Sequence, residues 1–123
     1  AMSSSSGGGS GGNQPPQPNL GPVQQPSQAV QNLLHKTYPS RSSPHRAYQG
    51  NAADALKEFQ TIADPNSIAP HPHPSLAQAG GLQGDVPGGG RIFFRPISTS
   101  GEPTIDLHKV PGISALVEVK FVP

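Results

Sequence analysis

The chain has 123 residues, among them 16 Pro and 15 Gly, with 12% charged and 5% aromatic residues and a formal net charge of +1. That composition belongs to the low-complexity, largely disordered class and leaves no room for two domains or a large core. The absence of Cys excludes a disulfide framework and thiolate chemistry and suits an intracellular protein, nuclear or cytoplasmic. With no long apolar run and no basic-then-apolar leader, neither a membrane span nor a secretory signal is expected.

Residues 1–26 read as a tether. Ser3–Gly12 is a Ser/Gly tract of flexible-linker composition. Asn13–Gln28 is rich in Gln, Pro and Asn, which favours local polyproline II. Pro15-Pro16-Gln17-Pro18 fits either plain tether or a ligand for an SH3 or WW groove. Ala1-Met2 reads as a cloning remnant, and the chain as a piece of a longer protein. The Gln/Pro/Ser/Gly composition resembles the linker and activation regions of eukaryotic nuclear regulators.

Residues 27–37 (SQAVQNLLHKT) form the first helix candidate, with Ser27 as cap and a narrow apolar stripe of Ala29, Val30, Leu33 and Leu34. Val30-Gln31-Asn32-Leu33-Leu34 resembles the LxxLL box of nuclear-receptor coactivators, which implies docking as a short helix. Residues 38–50 read as a basic linker flanked by Lys36 and carrying Arg41 and Arg46. Ser43-Pro44 resembles a proline-directed phosphorylation site, and a phosphate on Ser43 would change the local field strongly.

Residues 51–63 (NAADALKEFQTIA) predict an amphipathic helix capped by Asn51 and stopped by Pro65. Leu56, Phe59 and Ile62 line one side, either as anchors for a partner's groove or as a layer packed on the C-terminal strands. Residues 64–90 read as a Pro/Gly-rich linker. Its His71 and His73 have no Cys or carboxylate company and make only a weak metal site. No metal, cofactor or phosphate loop is expected.

Residues 91–123 are the densest apolar stretch. Ile92 and Phe94 lie in a first strand, which Pro96 confines or ends. In a second strand, Ile105 and Leu107 share one face while Asp106 and His108 occupy the other. A third carries Ile113, Ala115, Val117, Val119 and Phe121 with period two. Val110-Pro111-Gly112-Ile113 suits a type II turn between the last two. The fold expected is therefore a mostly disordered chain, with one or two short helices upstream of a three-stranded antiparallel meander. A lone meander buries one face only, which does not offset the entropy of ordering it. It needs a second layer from a partner, its own copy, or the remainder of a longer chain.

Pro103-Thr104-Ile105-Asp106-Leu107-His108 resembles the PxIxIT docking motif of calcineurin substrates, which implies binding as an added edge strand. Phe93-Phe94-Arg95-Pro96 resembles an FxxP docking pattern of another phosphatase adaptor. The function expected is a non-enzymatic protein–protein interaction segment that docks by strand addition, part of a regulator or scaffold. The contact would fall on Ile92, Phe94, Ile105, Leu107, Val117, Val119 and Phe121, with Leu56, Phe59 and Ile62 upstream. The partner would be another protein or a second copy, with nucleic acid unlikely and no membrane. Two alternatives stay open: a regulatory tail of a larger transcription factor or enzyme, carrying docking motifs and the Ser43 site, and a truncated β-rich domain.

Overall fold

The computed structural model describes residues 25–40 and 45–123. Seven strands form one sheet: β1 (Tyr38–Pro39), β2 (His45–Gln49), β3 (Ala69–Pro70), β4 (Leu82–Asp85), β5 (Arg91–Arg95), β6 (Thr104–His108) and β7 (Leu116–Val122). Their order is β1-β2-β7-β6-β5-β4-β3. Only β2 and β7 run parallel; every other neighbouring pair is antiparallel. Three α-helices accompany them: α1 (Gln28–His35), α2 (Ala52–Ile62) and α3 (Pro74–Gln78).

The three expected C-terminal strands pair antiparallel as β5-β6-β7, but the three-stranded meander is corrected: they are the centre of a seven-stranded mixed sheet. The largely disordered chain is corrected by the structure. The basic linker at 38–50 contributes strands β1 and β2. The linker at 64–90 holds a 3-10 turn (Pro65–Ser67), β3, α3 and β4. These strands escape pattern reading because they are short and carry little apolar signal. In β2 the one buried residue is Ala47, and in β4 it is Gly84. Tertiary pairing, not local preference, makes them strands.

The second layer comes from the chain itself. Helix α2 packs on β5, β6 and β7, and α1 packs on α2. Ala55, Phe59 and Ile62 of α2 meet Val30 and Leu33 of α1 and the inner residues of the sheet in one cluster. Cross-strand register aligns Phe94, Ile105 and Val119 in one inner row and Ile92, Leu107 and Val117 in the next. The Phe59 and Phe94 rings lie 6.3 Å apart, and Tyr48 of β2 meets Phe121 at 4.5 Å.

Both helices begin as their caps dictate. The Ser27 hydroxyl accepts from the Val30 N–H. At α2, the Asn51 side chain accepts from the Asp54 N–H, and the Asp54 carboxylate accepts from the Asn51 N–H, a reciprocal box that satisfies two end donors. Gly112 takes φ 86° at the expected turn, a conformation open to Gly without steric cost. Gly90 takes φ 94°, and a Cβ there would stand 2.7 Å from Val110 Cγ2 and 2.8 Å from the His108 carbonyl oxygen.

The two sheet edges are short, and each contains a proline, Pro39 and Pro70. Proline has no N–H to offer a neighbour, so both edges are poor templates for further pairing. No helix among the described residues is long and apolar enough to cross a membrane.

One polar cluster ties α1, α2 and β2 together. Lys36 Nζ and the Tyr48 hydroxyl both donate to Glu58 Oε2, at 2.6 and 2.9 Å. The Glu58 carboxylate raises the pKa of the Lys36 ammonium above its ordinary 10.5. Burial first, then the bond to Glu58, raises that of the Tyr48 phenol above 10.0. Both groups hold their protons more tightly folded than unfolded. The cluster's contribution is therefore complete below pH about 10 and is lost as pH rises through the folded pKa values. The melting temperature is expected to fall as pH rises above about 10, and Glu58→Gln is expected to flatten that fall. An alkaline decline of equal depth in the variant would remove the cluster as its cause.

Candidate functional site

Alternation that sends Ile105, Leu107, Val117 and Val119 inward sends Asp106, His108, Glu118 and Lys120 to the opposite face. Register then lines these up across strands. Gln83, Phe93, Asp106, Glu118 and His45 form one continuous row over β4, β5, β6, β7 and β2. On one side of it lie Arg91 and His108, and on the other Arg95, Thr104 and Lys120.

Two carboxylates, Asp106 and Glu118, thus stand directly opposite each other on adjacent strands, an arrangement that costs energy on its own. Arg95 offsets it. Its Nε and Nη2 donate to Asp106 Oδ2 and Oδ1 at 2.8 and 2.9 Å, a bidentate fork. The same Nη2 lies 3.6 Å from Glu118 Oε1. His45 Nε2 reaches that oxygen at 3.2 Å, and Lys120 Nζ lies 3.9 Å away. Asp106 is 7% exposed, so the fork is nearly dry.

The Phe93 ring sits beside this network. The His108 ring meets it at 4.8 Å, edge-on, and the His71 ring at 5.4 Å. A cleft of about 380 Å³ runs over this surface, lined among others by His71, Phe93, Arg95, Asp106, His108 and Glu118. His71 is placed by the loop after β3. Its Nδ1 accepts from the His73 N–H at 3.0 Å, which leaves Nε2 to carry the proton of the neutral ring. Burial lowers its pKa below the ordinary 6.5, with Arg95 and His73 adding to the effect and Asp106 opposing it. At neutral pH His71 is an uncharged donor.

Lys109, directly after His108, has φ 55°, in the left-handed region that non-glycine residues seldom occupy. Its N–H donates to the Ala115 carbonyl at 2.7 Å, closing the turn that leads into β7.

The residues expected to hold a partner lie elsewhere. Ile92, Phe94, Ile105, Leu107, Val117, Val119 and Phe121 are all in the core, none more than 6% exposed, together with Phe59 and Ile62. Leu56 is partly buried against the same cluster. Both edges of β5-β6-β7 are occupied within the chain, by β4 and by β2. The LxxLL-like and PxIxIT-like segments spend their apolar positions inward: Val30, Leu33, Ile105 and Leu107 are fully buried. Ser43 and Pro15–Pro18 lie outside the described residues. No group of three His, Cys, Asp or Glu among the described residues is arranged to hold a metal ion.

The polar face was half visible in the sequence. Asp106 and His108 share the outward side of β6, and Glu118 and Lys120 that of β7. The sequence does not reveal that register sets Asp106 beside Glu118, or that β2 brings His45 to the same row. Comparison with family models, with curated proteins and with solved structures finds no match for this chain.

Proposed function

We propose that the polar sheet face is an acid–base site that cleaves a phosphodiester carrying its own neighbouring hydroxyl, as RNA does. The carrying observation is the meeting of Glu118, His108 and Arg95 in one cleft on adjacent strands. Glu118 and His108 are diagonal neighbours across β6 and β7, a separation of roughly 7–8 Å between α-carbons. Side chains so spaced can flank a phosphate group.

In this assignment Glu118 takes the proton of the 2′-hydroxyl, whose oxygen forms the new bond to phosphorus. The bond from phosphorus to the 5′ oxygen breaks. His108 delivers a proton to that leaving oxygen. The products are a cyclic phosphate and a free 5′-hydroxyl, so atoms and protons balance. Arg95 supplies positive charge beside the phosphoryl oxygens, and Asp106 fixes its orientation. His45, bonded to Glu118, positions the base.

An acid–base site departs from the expectation of a non-enzymatic segment. That expectation rested on the lack of a rigid scaffold able to hold groups in place. A seven-stranded sheet backed by two helices is such a scaffold.

A fluorescently labelled single-stranded RNA tests the assignment. Glu118→Gln and His108→Ala are each expected to lower the cleavage rate at least about 100-fold, the usual weight of a general base or acid, with the melting transition retained. Cleavage by both folded variants at the parent rate, or none by the parent chain, would defeat the assignment.

A further inference from the structure

Phe93 is an aromatic residue on the polar face. Its cross-strand neighbours are Gln83 and Asp106, and it is outside the apolar cluster that holds the fold. Packing of the core therefore does not account for it. Its surroundings are planar groups: the His108 ring at 4.8 Å, the His71 ring at 5.4 Å and the Arg91 guanidinium 5.7 Å from its centroid. Arg91 is held toward β4, its Nη2 donating to Gln83 Oε1 at 2.7 Å.

Resting on the acid–base assignment above, we propose that Phe93 is a stacking platform for one nucleobase of single-stranded RNA, next to the phosphodiester presented to Glu118 and His108. Phe93 is partly buried, lines the cleft and carries Arg91 over its ring; aromatic side chains on a sheet face, with guanidinium planes beside them, are the groups on which unpaired bases stack. His71, neutral and donating through Nε2, offers a hydrogen bond to a base edge. In a duplex both faces of each base are covered, so the platform selects single strands.

The charge balance points the same way. Arg91, Arg95 and Lys120 on this face are met by Asp85, Asp106 and Glu118. Affinity then comes mainly from stacking, not from counterion release, and falls only shallowly with salt.

Fluorescence anisotropy on the full chain with a labelled 2′-O-methyl RNA hexamer tests this, because that probe binds without being cut. Phe93→Leu is expected to weaken binding about tenfold or more, the order of one stacked base. Phe93→Trp is expected to preserve binding. The hexamer in a duplex, or with abasic sites, is expected to bind at least about tenfold less well. Equal binding by the Leu variant, or by the duplex, would overturn the platform. The two assignments separate cleanly. Phe93-dependent binding without cleavage of the 2′-hydroxyl oligomer removes the acid–base site alone. Cleavage that ignores Phe93 and abasic sites removes the platform alone.

Discussion

Phe59→Ala is expected to destabilise the chain by about 3–5 kcal/mol, the range for deleting a fully buried aromatic ring. Phe59 is 0% exposed and stands over the middle of the sheet, 6.3 Å from the Phe94 ring. It comes from α2, far in sequence from the strands it covers. Truncation leaves a cavity between α2 and the rows Phe94–Ile105–Val119 and Ile92–Leu107–Val117. The backbone on both sides is committed to helix and ladder hydrogen bonds, so the site cannot collapse far. Because a small domain has only about 5–15 kcal/mol in total, a loss of that size should bring the urea midpoint down sharply. Leu56→Ala on the same helix is the comparison, since Leu56 is only partly buried, and it should cost clearly less. Residues 91–123 alone, deprived of α2 and of β2, are expected to stay unfolded at low concentration. A cooperative melt of that segment as a monomer, or a Phe59→Ala variant as stable as the parent, would mean that α2 is not the layer that completes the sheet.

The same dependence explains which parts of the fold the sequence disclosed. Where a segment carries its own signal, reading it locally works. Val117, Val119 and Phe121 alternate and are buried in alternation. Asn51 and Asp54 form the cap of α2, and Pro111-Gly112 turns the chain. Where a segment takes its conformation from its neighbours, local reading fails. His-Arg-Ala-Tyr-Gln in β2 has no apolar stripe; it is a strand because β7 offers an open ladder beside it. Leu-Gln-Gly-Asp in β4 owes its state to β5 in the same way. Composition misled for a related reason. The Ser/Gly/Gln/Pro tract precedes the first charged residue, Lys36, and colours an average taken over the whole chain. The alternation that revealed the inner rows also contained the polar face, but as separate half-rows. Only register could join Asp106 to Glu118 and bring in His45 from a distant strand.

Arg95→Met is expected to destabilise the chain at neutral pH by about 3–5 kcal/mol, the cost of removing one member of a buried ion pair. The reason is specific to the register. Asp106 and Glu118 face each other across β6 and β7, and Arg95 contacts both, at 2.8 and 3.6 Å. Without it, Asp106, with 10% side-chain exposure, is left charged and nearly dry beside a second carboxylate. Removing the Asp106 charge as well should recover most of the loss, so Arg95→Met with Asp106→Asn should be much more stable than Arg95→Met alone. That recovery is the coupling term of a double-mutant cycle, read by chemical denaturation. If the loss were simply missing side-chain packing, the second substitution would add to it. The double variant also separates architecture from chemistry. It keeps the fold but lacks the Arg95 guanidinium assigned to the phosphoryl oxygens, so RNA cleavage should stay low although stability returns. A double variant that regained both would make the Arg95–Asp106 fork structural only, and would leave Glu118 and His108 to act without it.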